Sequence, residues 1–147
     1  MAVDPALVFI GTKASSSEIG ITPASNYRTG LRIAQVRVVF QLPSKVIPLV
    51  FPSLEDTLPT HLAYVEWFSP IPTTPDSNSN LYKVSRLVRN GRRVASVIPV
   101  DSVISSVHLF PRFGQNAPIG KTFTVLELCN SFYINPFSSR DNFFLFS

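Results

Sequence analysis

Short runs of alternating apolar and polar residues, each cut off by Pro, Gly, Asn or Ser, make up most of the chain. Alternation with a period of two marks strands with one buried face, and β-branched and aromatic residues fill these runs. Residues 31–42, LRIAQVRVVFQL, predict a long strand in which Arg32, Ala34, Val36, Val38 and Phe40 share a parity. Residues 61–70, HLAYVEWFSP, predict a second: Ala63, Val65 and Trp67 point one way, Tyr64, Glu66 and Phe68 the other. Near the start, LVFIG has strand composition, but the Ser-rich stretch after it reads as loop. Residues 1–30 are therefore read as a partly ordered lead-in to one domain over 31–147. The proline-punctuated stretch that follows Leu42 predicts a crossing loop with a helical turn near 53–57.

Residues 81–100, LYKVSRLVRNGRRVASVIPV, carry the sharpest local signal. Asn90-Gly91 sits between two alternating runs, and a type I′ turn needs positive φ at both central positions, which Asn and Gly tolerate. A two-residue turn sets Arg89 against Arg92, Val88 against Arg93, Leu87 against Val94, Arg86 against Ala95 and Val84 against Val97. Further on, Asp101 and Ser102 are candidate caps for a helical turn ahead of a strand over 106–111. Thr124 with Glu127 three residues later is a capping-box pattern and predicts a short helix from Val125 to about Cys129. A strand at 132–135 and the apolar NFFLFS complete the pattern. Six to eight short strands with little helix indicate a small barrel or sandwich.

Composition narrows the class. A chain of 147 residues is one domain on length, and it is large enough to need no cross-link. Thirteen prolines explain why the elements are short, and the single cysteine, Cys129, excludes an internal disulfide, which fits a reducing compartment. No signal-like N-terminus or long apolar run is present, so an intracellular location and no membrane association are expected. The formal net charge is +4, and its placement matters more than its size. Five of the thirteen basic residues (Lys83, Arg86, Arg89, Arg92 and Arg93) fall within residues 81–100, which contain no acid. Arg89 opposite Arg92 is a like-charge pair costing a few tenths to ~1 kcal/mol. A bound anion would remove that cost, as would solvation at an exposed tip.

Catalytic patterns are weak. GQNAPIGKT, residues 114–122, looks like a phosphate loop but has five residues between its glycines where the motif needs four, and Pro118 has no N–H to offer. His61, His108 and Cys129 have no metal-ligand spacing, so no metal is expected. No Gly-x-Ser-x-Gly elbow occurs and the acids are scattered, so neither an enzyme nor a cofactor or small-molecule site is expected. Tyr64, Phe68 and Tyr82 form a candidate aromatic interaction patch, and Trp67 is read as core.

Four blocks in order, RIAQVRVVFQLP, LAYVEWFSP, LYKVSRLVRNGRRVASVIPVDSVISSVHLFPRFG and CNSFYINPFSSRDNFFLF, resemble the C-terminal region of proteins of Plavaka-type, CACTA-related DNA transposons of basidiomycete fungi. The resemblance covers roughly residues 31–147. It implies a mobile-element protein acting with DNA in the nucleus, and it brings no catalytic residue with it. The rhythm of strand pair, basic hairpin and Pro-led turn is also similar to SH3-like and bromo-adjacent-homology modules. The expectation is thus an all-β fold: a small, partly open SH3-like or BAH-like barrel with one or two short helical turns. The expected role is a noncatalytic accessory or targeting domain that engages DNA or chromatin through Lys83, Arg86, Arg89, Arg92 and Arg93. Two alternatives stand beside it: a module that docks on a transposase or self-associates as a homo-oligomer, and a nonfunctional remnant of a mobile element.

Overall fold

The computed structural model describes residues 7–11, 30–50, 59, 61–113 and 125–138. The 114–122 loop, Thr124, the 53–57 turn and NFFLFS lie outside these residues. The described chain is all-β, with strands β1 (Leu7–Gly11), β2 (Leu31–Phe40), β3 (Leu62–Trp67), β4 (Lys83–Ser85), β5 (Val88–Arg89), β6 (Arg92–Arg93), β7 (Ala95–Pro99), β8 (Val103–Ser106), β9 (Leu109–Pro111) and β10 (Ser131–Ile134). Helix is confined to single turns: α1 (Ile47–Val50), α2 (Val125–Leu128) and two 3₁₀ turns, Val100–Ser102 and Pro136–Ser138. No helix among the described residues is long and apolar enough to cross a membrane.

A five-stranded antiparallel sheet runs in the order β7-β3-β2-β1-β8. Its two edge strands are consecutive in sequence, joined only by the 3₁₀ turn Val100–Ser102. The chain from Pro99 to Val103 reaches at most about 14 Å, whereas the edges of a flat five-stranded sheet lie about 19 Å apart. The sheet is therefore curled, with its edges drawn together at one end but not paired, as the partly open SH3-like expectation requires. Leu7–Gly11 lies between β2 and β8, so the sheet takes in residues from the segment read as a lead-in.

Inside the curl, Ala34, Ala63, Val65 and Trp67 are buried, with Val36, Leu87, Val94, Ile98, Val100 and Val103 packed against them. Small alanines on adjacent strands leave room for the Trp67 indole, whose N–H donates to the Ser96 hydroxyl at 2.9 Å. A second sheet, β4-β10-β9, packs on the outer face of the first. Between them lies the larger core of Ile33, Phe68, Tyr82, Val84, Val107, Leu109, Cys129, Phe132 and Ile134. Phe68 and Phe132 meet edge to face at 5.6 Å. Burial in this core raises the pKa of the Cys129 thiol, as desolvation disfavours a thiolate.

Several local expectations are corrected. The parity of residues 32–40 breaks at Arg37, where Val36 pairs with Val65 but Val38 pairs with Tyr64. This β-bulge moves Val38 and Phe40 to the opposite face from Ala34 and Val36. The strand expected over 106–111 is two strands, interrupted at Val107–His108 where the chain passes from the first sheet to the second. The turn before it starts at Val100, and Ser102 donates its hydroxyl back to the Pro99 carbonyl instead of capping. Val84 pairs with Phe132 and Val97 with Tyr64, so those two valines are not cross-strand partners.

Phe68 and Tyr82, expected in a surface aromatic patch, are core residues, and of that trio only Tyr64 is exposed. Phe68→Ala is expected to lose about 3–5 kcal/mol, the range for emptying a fully buried aromatic site. A urea midpoint that falls accordingly, with an unchanged m-value, is the check.

Candidate nucleic-acid interface

The β5–β6 ribbon has the register its sequence dictates. Arg89 pairs with Arg92 and Val88 with Arg93, and the turn residues Asn90 and Gly91 have φ of 52° and 73°. Both turn positions need the left-handed region that a type I′ turn imposes. At the root, three strands meet in a small hydrogen-bond knot. Trp67 N–H donates to Val94 O (2.9 Å), Val94 N–H to Leu87 O (2.8 Å) and Leu87 N–H to Trp67 O (3.0 Å). Below this point the hairpin strands part. Arg86 bridges to Phe68 and leads into the second sheet, while Ala95 pairs with Glu66 in the first.

That divergence divides the five cations assigned to one grip. Arg86 is drawn into the core, with its side chain only 2% exposed. Its guanidinium carbon lies 4.6 Å from the Phe68 ring centre and 5.9 Å from that of Phe132. Nη2 donates to the Leu126 carbonyl at 2.5 Å, and Nη1 lies 3.9 Å from Glu66 Oε2. Nε and Nη1 have no hydrogen-bond partner. Burial first, and the Arg93 charge second, lower the Arg86 pKa to about 10, which still leaves it charged near neutrality. A buried guanidinium held in this way is not available to an external phosphate.

Arg93 is committed as well. Its Nη1 reaches Glu66 Oε2 at 2.9 Å and Glu127 Oε2 at 2.8 Å. Burial alone would lower its pKa, but hydrogen bonds to these two carboxylates outweigh that and raise it. Arg37, the bulge residue, pairs with Glu127 and lies 3.8 Å from Glu66. Three arginines thus share two carboxylates at the hairpin root. Gln35, cross-strand from Glu66, is fully buried beside this cluster with both carboxamide atoms unpartnered. None of Glu66, Glu127 and Arg37 was among the site residues read from the sequence. The capping-box reading turned Glu127 back toward its own helix, whereas in the fold it faces Arg37 and Arg93.

Arg89 and Arg92 remain exposed at the tip, with no ion pair among the described residues. Lys83, half-buried on β4, pairs with Tyr133 and carries no ion pair there either. An open depression of about 580 Å³ beside the tip is lined by Arg89, Asn90, Arg92, Arg93, Val94 and Ala95. Elsewhere, Arg32 stacks 4.2 Å over Trp67. His108 contacts Asn135 Nδ2 at 3.2 Å and the Phe110 ring edge-on. Among the described residues no group of three or more His, Cys, Asp or Glu side chains is placed to hold a metal.

Two expectations test the cluster. Arg86→Ala empties the slot over Phe68 and Phe132 and should cost roughly 2–4 kcal/mol, whereas Arg86→Met keeps most of the volume and should cost under about 1.5 kcal/mol. Thermal melts of the two variants check the difference. For Glu127, burial would raise the pKa, but hydrogen bonds from Arg37 and Arg93 outweigh it and lower the value from 4.5. A depressed carboxylate contributes stability above its unfolded pKa and loses it as pH falls through the folded one. Melting temperature should therefore drop on acidification below 4.5, and Glu127→Gln in an Asp76→Asn background should flatten that drop. The background removes Asp76, whose pKa is lowered by its hydrogen bonds from the Ser79 and Asn78 backbones.

Comparison of the chain with protein-family models, with curated proteins and with solved structures finds no match, so the site stands on its own geometry.

Proposed function

We propose that the β5–β6 ribbon grips nucleic acid by its phosphates, with Arg89 and Arg92 as the principal contacts and Lys83 as a flanking one. The observation that carries this reading is the tip pair. Two arginines face each other on an exposed ribbon without an acid, while Arg37, Arg86 and Arg93 close by all have carboxylates. A polyanion removes the repulsion between them, and their guanidinium forks match phosphate oxygens. Contacts of this kind position a protein on DNA without reading sequence. The resemblance to Plavaka-type transposon proteins supplies the setting: a noncatalytic accessory or targeting domain acting with DNA or chromatin in the nucleus. Arg86 and Arg93 are left out of the contact set because the fold uses them internally.

A second reading is supported by a different surface. Val38, Tyr64 and Val97 occupy one row of paired positions across β2, β3 and β7, and all three are exposed. Such a row suits a protein partner, whose binding would be insensitive to salt and sensitive to Tyr64→Ala.

Binding of the purified protein to a labelled random duplex across a salt series separates the two. Two or three phosphate contacts give a log–log slope of about −2 to −3. Arg89→Glu/Arg92→Glu should weaken binding at least about tenfold and flatten the slope, while Arg86→Met should leave both unchanged. Unchanged affinity in the double charge reversal would remove the ribbon from any role in DNA binding.

A further inference from the structure

The geometry points to a second copy of this chain as the partner of the open β6–β7 edge, paired antiparallel about Ala95. The inference goes beyond the phosphate contact and does not depend on it. In the sheet order, β7 has β3 on one side and no strand on the other among the described residues. Trp67 N–H bonds Val94 O and Val100 N–H bonds His61 O, which fixes the alternation along this ladder. Ser96 and Ile98 turn their backbone groups toward β3, and Ala95, Val97 and Pro99 turn theirs outward. The Val94–Leu87 bond continues the same phase into the hairpin, so Arg93 also faces outward. The result is one edge from Arg93 to Pro99 whose backbone groups point away from β3, with no strand beside it among the described residues.

Natural edges are usually blunted by charge, proline or a covering segment. Residues 95–99, ASVIP, contain no charged side chain, and the single proline stands at the far end. Pro99 offers only a carbonyl, which already accepts from Ser102 at 2.6 Å. A two-fold axis at Val97 would set Pro99 against Ala95 and lose bonds there. An axis at Ala95 instead pairs Ala95 with itself and Arg93 with Val97 of the second copy, giving about six hydrogen bonds and leaving Pro99 opposite the Gly91 turn. Two-fold pairing keeps like faces together, so the exposed Val38–Tyr64–Val97 row ends beside Arg93 of the second copy, on the same face.

Charge selects the direction. Asp101 is exposed, lies just past β7 and has no ion pair among the described residues. Antiparallel pairing about Ala95 places it just beyond the Asn90–Gly91 end of the other copy's basic ribbon. Parallel pairing would instead set the two basic tips side by side.

Sedimentation equilibrium of the full chain from about 1 μM to about 1 mM, with amide hydrogen exchange at low and high concentration, tests the inference. The expected result is a monomer–dimer equilibrium in which the Ala95 and Val97 amides, without an acceptor among the described residues of one chain, gain protection as concentration rises. Ala95→Pro removes an N–H that β3 does not use, so the variant should stay folded and be monomeric; Val97→Pro serves if it does not fold. Asp101→Lys should raise the dissociation constant several-fold. A chain that stays monomeric at the highest concentration, or proline variants that fold and dimerise like the parent, would overturn the inference.

Discussion

Three residues of chain, Val100–Ser102, join the two edges of a five-stranded sheet, and most of the architecture depends on that short link. A flat sheet cannot satisfy it, so the sheet curls, and the curl makes an inside and an outside. The inside is narrow and takes Ala34, Ala63 and Val65 around one large residue, Trp67. The outside is broad, and among the described residues the second sheet covers one end of it. The remainder carries the polar cluster at the hairpin root and, beyond it, the exposed row of Val38, Tyr64 and Val97.

The hairpin is the place where the two layers separate. One strand passes into the second sheet through Arg86 and the other into the first through Ala95. Arg86 lies at the fork, and its guanidinium fills the space between the layers, over the Phe68 ring and near Glu66. Burying a cation is costly unless opposite charge and hydrogen bonds accompany it. Glu66 and Glu127 supply the charge for all three root arginines. Their supply ends there, which leaves the tip pair to solvent or to a ligand. The basic run is therefore two populations with different surroundings, adjacent in sequence and separated by burial.

Much of the fold was legible in the sequence because it is local. The Asn-Gly turn and the first pairs of its hairpin follow from φ preference and alternation. The α2 turn at Val125 and the strand around Phe132 also lie where sequence sets them. What escaped was every feature that depends on a distant segment. The bulge at Arg37 follows no local signal, since LRIAQVRVVF alternates through it. The end of hairpin pairing after Leu87 and Val94 is decided by Trp67, some twenty residues upstream, which claims both strands. Phe68 and Tyr82 read as surface aromatics because alternation reports two faces but not which face a second sheet will cover. Arg86 read as a contact residue because a charged side chain in a basic run gives no sign that Phe68 and Phe132 will enclose it.

The interval between β3 and β7 has a kinetic consequence. These neighbours in the sheet are separated by about 27 residues, and closing a loop of that length costs about 2 kcal/mol more entropy than closing a very short one. Topologies rich in such distant pairings fold slowly. The Asn90–Gly91 hairpin lies inside this interval and closes locally, on a timescale of microseconds. Once Leu87 and Val94 are held together, the remaining search runs from Trp67 only to Leu87, and the same three-strand knot that ends the hairpin becomes the point at which the barrel can zip. The ribbon thus shortens the chain's own path to the curled sheet, whatever its tip later binds.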